Sequence, residues 1–186
     1  SIGGVGLIKD YKKMITMDFK ELNNLVLIIG KTEGHIDQSL FARTILDEKN
    51  GPPPEINLFN EKNNGETLLQ LIKNDFIKSA HDVSLGGIIT AVSKMCIKGN
   101  KGIECSKPKL LLSDIEYLFS EDQGRYIIEI KPQDLDNVAK ILEKNSVHYD
   151  ELGKIIDNHI IINKKTKVTI DELKSYNTNW LKKYMS

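Results

Sequence analysis

The stretch that decides the fold is SAHDVSLGGIITAV, residues 79–92, in which a polar, extended beginning passes through two glycines into an apolar run. The apolar side chains after the glycines recur at i, i+3, i+4 and i+7, and they are Ile88, Ala91, Val92 and Met95. This spacing is typical of a helix with one buried face. The sequence therefore predicts a strand, followed by a helix that starts at Gly86 or Gly87 and ends near Gly99.

Short apolar runs and amphipathic stretches alternate irregularly on both sides of this segment. Strands are predicted near residues 5–8, 25–29, 126–130, 152–156, 159–163 and 167–170, and helices near residues 35–45, 60–74, 132–142 and from Asp171 onward. The closely spaced last strands indicate antiparallel pairing, which favours an α/β (α+β) layered sandwich with a mixed sheet. Because no stretch of linker length divides the chain, residues 1–186 are predicted to form a single domain.

The composition argues against several classes of protein. Lys plus Arg and Asp plus Glu both number 26, so the formal net charge is zero and a nucleic-acid partner is not expected. The longest apolar run is too short to cross a bilayer and no signal peptide is visible, so we expect a cytoplasmic protein without a membrane partner. The two cysteines and four histidines lack the spacing of a disulfide framework or a zinc site.

Two functional interpretations of the polar start of the deciding stretch can be compared. In a catalytic triad, His81 would act on Ser84, but alternate residues of a strand point to opposite sides, which disfavours this pair. In a phosphate site, Ser84 and the unpaired N–H groups at Gly86 and Gly87 would face the anion, and Asp82 would hold a metal ion that accompanies the phosphates. A glycine turn that only permits close packing of helix on sheet remains the structural alternative.

A second polar cluster lies in LFSEDQGRYIIEI, residues 118–130. In the functional interpretation, Glu121 and Gln123 face a ligand and Arg125 pairs with a carboxylate or phosphate. The alternative is a solvated loop that connects two elements through a left-handed turn at Gly124. A third segment, GPPPEINLFNE at residues 51–61, carries Asn57 and Glu61 and is favoured as a rigid connector.

Taken together, these segments resemble phosphoribosylformylglycinamidine synthase, within the AIR synthase-related proteins. SAHDVSLGG resembles that family's HDxSxGG motif, LFSEDQGR its FSExxGR motif, and GHIDQS followed by NGPPPEINLFNEKNNGE its GHLGQS, GPPPxVDL and NG segments. SIGGVGLIKD is similar to the passage into its final domain, and ELGKII with HIIIN to its closing hairpin. The resemblance covers essentially the whole chain, and it rests on the order of five segments.

The resemblance implies a C-terminal domain from the second of two pseudo-repeated halves, with residues 1–20 leading in from a preceding barrel-forming domain. The parent would use ATP and Mg²⁺ to activate the amide of formylglycinamide ribonucleotide, and ammonia would then displace phosphate. Ammonia would come from a glutaminase domain or subunit, with a small bridging subunit as a further partner. Since the family's catalytic residues lie in the first half, the isolated chain is expected to be inactive.

Two alternatives remain open beside this resemblance: a non-catalytic nucleotide- or phosphate-binding module, and the C-terminal domain of another relative such as thiamine-monophosphate kinase or selenophosphate synthetase. This chain also departs from the family pattern. Leu85 stands where the family usually has Asp, and Asp37 where it usually has Gly. Leu85 thus removes a carboxylate beside the glycine turn, whereas Asp82 remains as the predicted metal ligand.

Overall fold

The computed structural model describes residues 3–106, 108 and 111–186. Within these residues the strands are β1 (Leu25–Ile29), β2 (Ile77–Asp82), β3 (Gly102–Cys105), β4 (Tyr126–Ile130), β5 (Tyr149–Ile156), β6 (His159–Ile162) and β7 (Thr166–Thr169). The α-helices are α1 (Leu40–Thr44), α2 (Leu58–Lys73), α3 (Gly87–Gly99), α4 (Asp114–Phe119), α5 (Leu135–Lys144) and α6 (Ile170–Met185). Short 3₁₀ turns cover Tyr11–Lys13 and Pro132–Asp134.

The strands form one sheet with the order β2-β4-β1-β5-β3-β6-β7. Among the described strands, β3 and β6 pair in parallel, and the other neighbouring strands pair antiparallel. One core, which includes Met95, Ile103 and Tyr117, lies between the sheet and α3, α4 and α6. The other, which includes Leu71 and Val138, lies under α2 and α5. The predicted layered α/β sandwich with a mixed sheet is therefore confirmed.

Local signals in the sequence explain several of these element boundaries. The side chain of Asn57 accepts a hydrogen bond from the N–H of Asn60 at 3.0 Å and caps α2, as expected for an N-cap asparagine. Helix α3 ends where Asn100 adopts a left-handed conformation with φ of 51°. Helix α4 carries a complete capping box formed by Ser113 and Glu116, a signal that the sequence prediction missed.

Two of the predicted elements need correction. Residues 5–8 do not form a strand, because no described strand pairs with them and both Val5 and Leu7 are fully exposed. The first helix starts at Leu40 and not near His35, because Gln38 has a positive φ of 61° and Ser39 caps the helix through the N–H of Ala42. Strand β3, which no prediction included, is a four-residue strand in the interior of the sheet.

The chain joins the core at Phe19, which is fully buried and whose N–H donates to the carbonyl of Met95. The lead-in role of residues 1–20 stays a prediction, and residues 1 and 2 lie outside the described part of the chain. Within the described residues, none of the helices combines the length and the apolar character needed to cross a membrane.

Candidate functional site

The two glycines between β2 and α3 both have left-handed backbones, with φ of 85° at Gly86 and 70° at Gly87. Side chains other than glycine rarely adopt this conformation. A Cβ atom on Gly87 would lie 2.6 Å from the carbonyl oxygen of Ser120 and 2.7 Å from that of Leu118. The glycines therefore permit both the turn and the close approach of α3 to the end of α4 and to Ser120.

The N–H groups of this turn already have partners within the protein. Gly86 donates to Oε1 of Glu121 at 2.8 Å, and Gly87 donates to the carbonyl of Ser84 at 3.0 Å. The same Glu121 oxygen accepts from the N–H of Leu40 at 2.7 Å, at the start of α1. One carboxylate thus joins the first turns of two helices, where the helix dipole favours negative charge. The expectation that these N–H groups are unpaired is not met.

Asp122 occupies a second group of backbone donors. Its carboxylate accepts from the consecutive N–H groups of Glu33, Gly34 and His35 at 3.0 to 3.1 Å. Successive backbone N–H groups of this kind form a concave site for an anion. The loop after β1 is therefore fastened to the 120–125 segment by an internal carboxylate.

Arg125 lies beneath this loop and is only 1% exposed. Its guanidinium donates to the carbonyls of Ser120 and Asp122 at 2.8 and 3.1 Å and to Oγ1 of Thr32 at 3.1 Å. The Asp122 carboxylate lies 3.7 Å away. Burial lowers the pKa of Arg125, and the charge of Asp122 opposes that shift. The expected pairing of Arg125 with a carboxylate is made inside the domain, and its side chain does not face solvent.

The polar residues at the end of β2 are arranged more loosely. His81 Nδ1 lies 3.0 Å from Oδ1 of Asp82, whose side chain is 61% exposed, and Ser84 is also exposed. His81 Nε2 is buried and has no hydrogen-bond partner in the described structure. The hydrogen bonds of the described residues include none between His81 and Ser84. This arrangement disfavours the triad, as strand geometry predicted.

A metal ion at Asp82 would need further protein ligands close to this carboxylate. Among the described residues, no group of three or more histidine, cysteine, aspartate or glutamate side chains could hold one. Mg²⁺ in proteins is usually held by one or two carboxylates together with substrate phosphates and water. The described residues therefore do not form a complete metal site within this domain. Asp82 could supply at most one ligand to a metal ion.

A polar cleft beside the 120–125 segment has a volume of about 540 Å³. Its walls come from the loop after β1, the start of α2 and the segment around Gln123, and its lining includes Lys31, Glu33, His35, Glu55, Asn57, Asn60, Glu61, Asn64, Asp122, Gln123 and Gly124. This size is typical of sites for small molecules. Of the predicted site residues, only Gln123 lines this cleft; Asp82 lines a separate, mostly apolar groove.

The sequence predicted a rigid connector at residues 51–61, which includes the start of α2, and a helix near residues 60–74 without a functional role. Asn57, Asn60 and Asn64 recur at helical spacing on one side of α2, which is the signal that could have indicated a polar wall. Asn64 donates to the carbonyl of Gly124 at 2.9 Å. The Glu61 carboxylate lies about 3.3 Å from where a Cβ of Gly124 would stand, and no hydrogen bond or ion pair engages it in the described structure. The cleft therefore offers amides and the carboxylates of Glu55 and Glu61 to a hydrogen-bonding ligand.

Comparisons with known proteins agree with this architecture. Residues 23–164 match the family described as AIR synthase related protein, C-terminal domain. The phosphoribosylformylglycinamidine synthase subunit PurL of Pelagibacter ubique is 69% identical over 185 residues, which cover this whole chain and 25% of that protein. The PurL subunit of Bartonella henselae is 34% identical over the same length and the same share of each chain.

Among solved structures, T. maritima PurL complexed with FGAR superposes with a TM-score of 0.72 at 19% sequence identity, covering 87% of this chain and 29% of that one. This likeness establishes the shared fold. The chain spans about a quarter of the length of the curated relatives that it matches. The family match covers most of the chain, including six of the seven described strands and five of the six described α-helices. This chain therefore belongs to the family of AIR synthase related proteins, as a C-terminal domain.

Proposed function

We propose that the chain is the C-terminal domain of a phosphoribosylformylglycinamidine synthase PurL subunit. The observation that carries this proposal is the 69% identity to the Pelagibacter ubique subunit over the full chain. The parent subunit would convert formylglycinamide ribonucleotide to formylglycinamidine ribonucleotide in purine synthesis, as a ligase that uses ATP. The other family members considered from sequence, such as thiamine-monophosphate kinase, receive no comparable support from sequence identity.

In this proposal the domain contributes to the structure of the parent enzyme and does not catalyse the amidation reaction alone. The two acids of the 120–125 segment, Glu121 and Asp122, already bind backbone donors of the domain itself. ATP and Mg²⁺ would be bound by the parent, where Asp82 could add one ligand to a metal held mainly by other groups. The parent is proposed to act in the cytoplasm and to receive ammonia from a glutaminase domain or subunit, with a small bridging subunit.

For the ligand-facing surface, we propose that Gln123 and the cleft beside it face the rest of the parent enzyme. Glu121, Arg125, Gly86 and Gly87 then hold the cleft wall in place through buried contacts. Ser84 remains exposed at the start of α3, where its hydroxyl could still meet a phosphate. These roles rest on the geometry of the cleft and of the two anion-binding turns.

The direct test compares the full-length parent with this 186-residue chain. Each is incubated with formylglycinamide ribonucleotide, ATP, Mg²⁺ and ammonium, and release of ADP and of the amidine product is measured. We expect substrate-dependent turnover by the parent and none by the isolated chain. A parent without such turnover would contradict the proposed reaction, and turnover by the isolated chain would contradict the supporting role.

A second candidate function is a non-catalytic module that stabilises the parent. The internal carboxylates of Glu121 and Asp122 favour it, because they occupy donors that an external phosphate would need. Gly87→Val in the parent separates the two roles. A purely stabilising domain predicts a lower melting temperature with unchanged turnover per folded molecule, whereas a domain that helps to form the active site predicts reduced turnover of the folded fraction.

A further inference from the structure

Helix α6 packs against the domain only through its first turns. Ile170 is fully buried, and Leu173 contacts the core that α3 shares. Lys174 Nζ lies 2.5 Å from Oδ1 of Asn100 at the end of α3. From residue 175 to residue 186, every side chain that the structure describes is exposed. The second half of the helix therefore runs past the edge of the domain.

The exposed half carries large apolar side chains on one side. We call them the α6 stripe, and they are Tyr176, Trp180, Leu181, Tyr184 and Met185, exposed by 52 to 80%. Since successive helical residues are about 100° apart, Leu173, Trp180 and Tyr184 fall within about 40° of one another. The α6 stripe thus continues the face that is buried in the first turns. A contiguous apolar face of this kind marks an interaction surface.

We propose that the α6 stripe docks into an apolar groove on the rest of the parent polypeptide; this inference rests on the proposed function. The family match ends at residue 164, before α6, whereas the Pelagibacter ubique subunit matches through the helix. The helix is therefore kept in a relative about four times as long as this chain, and about three quarters of that relative lies outside the matched region. An amphipathic helix that lies in an apolar groove is a frequent mode of recognition.

The size of the α6 stripe favours an occupant in the same polypeptide over a second copy of the chain. Five side chains that are about two-thirds exposed offer on the order of 500 Å², given that a large aromatic residue buries about 150–250 Å². A stable complex between separate proteins buries about 800 Å² on each partner. Contacts between domains of one chain can be smaller, because the covalent link supplies an effective concentration in the millimolar range.

Hydrogen–deuterium exchange of residues 176–185 tests this proposal, with the full-length parent compared with the 186-residue chain. We expect exchange at least tenfold slower in the parent. Equal exchange in both proteins would overturn the proposal. Protection that grows with concentration in the isolated chain would also overturn it, and would identify a second copy as the occupant.

Two double variants of the parent separate docking from helix stability. Trp180→Ala with Tyr184→Ala removes the centre of the α6 stripe, whereas Ser175→Ala with Asn179→Ala changes the opposite face at the same spacing. Alanine favours helix at all four positions, so helix loss cannot explain a difference between the variants. We expect rapid exchange in the first variant and unchanged protection in the second, and equal behaviour would contradict docking.

Turnover is recorded in the same parent preparations, which keeps this proposal separate from the proposed function. A parent with a protected helix and no turnover on formylglycinamide ribonucleotide would reject the reaction and retain the docking surface. A parent that turns over with an unprotected helix would reject the docking surface and retain the reaction.

Discussion

The segment from Ser120 to Arg125 and the turn from His81 to Ser84 contain similar residue types in opposite environments. In the first, Glu121, Asp122 and Arg125 bind backbone groups or each other, and Arg125 is buried. In the second, Asp82 is exposed, and its side chain lies 3.0 Å from Nδ1 of His81. Charged side chains beside a glycine can thus either join segments of the protein through hydrogen bonds or face solvent. The burial of the side chain distinguishes the two cases. Four substitutions test this contrast.

The largest effect is expected for Arg125→Ala. The change leaves the carbonyls of Ser120 and Asp122 without their buried donor and removes the positive charge 3.7 Å from the Asp122 carboxylate. Removing one partner of a buried ion pair costs about 3–5 kcal/mol in the free energy of unfolding. Urea unfolding of the isolated chain measures the loss. Arg43→Ala, at an exposed position on α1, is the matched control and should change the free energy by less than about 0.5 kcal/mol. Similar losses in the free energy of unfolding for both variants would show that the contacts of Arg125 do not stabilise the domain.

Gly87→Ala should have the next largest effect. A left-handed backbone disfavours alanine, and its Cβ would lie 2.6 Å from the Ser120 carbonyl oxygen, so we expect a loss of about 3 kcal/mol. Gly65→Ala is the control, because Gly65 lies within α2 and its Cβ would meet only the Tyr126 hydroxyl at 3.5 Å. That variant should gain up to about 1 kcal/mol through helix propensity. Effects of the same sign would contradict the packing role of Gly87.

Glu121→Gln should have an intermediate effect. The amide keeps the shape of the side chain but removes the negative charge at the first turns of α1 and α3, so we expect a loss of about 1–2 kcal/mol. Glu66→Gln, at an exposed position on α2, serves as the control and should be nearly neutral. Urea midpoints at constant slope give the comparison. A neutral Glu121→Gln would mean that the carboxylate charge does not fasten these helices.

The smallest effect is expected for Asp82→Asn. The His81–Asp82 pair is exposed on the aspartate side, and such pairs contribute less than about 0.5 kcal/mol. Thermal unfolding of this variant beside the wild-type chain provides the measurement. A loss comparable to that of Arg125→Ala would remove the distinction between the two regions.

Parts of this fold follow from local sequence alone. The boundaries of α3 and the strand at residues 126–130 were predicted, because periodicity and glycine act over a few residues. The strand predicted at residues 5–8 was wrong, since an apolar run becomes a strand only when another strand pairs with it. Strand β3 was missed for the converse reason, because its flanking strands β5 and β6 come from distant sequence.

For the candidate site, the sequence by itself determined that the SAHDVSLGG turn needs glycine and that the polar groups of SEDQGR lie together. Tertiary structure alone decided what those groups contact. Glu121 contacts Leu40 from 81 positions away, and Asp122 contacts Glu33 from 89 positions away. Such hydrogen bonds join segments that only the packed sheet and helices bring within 3 Å, so no local pattern could assign the two carboxylates to the protein's own backbone.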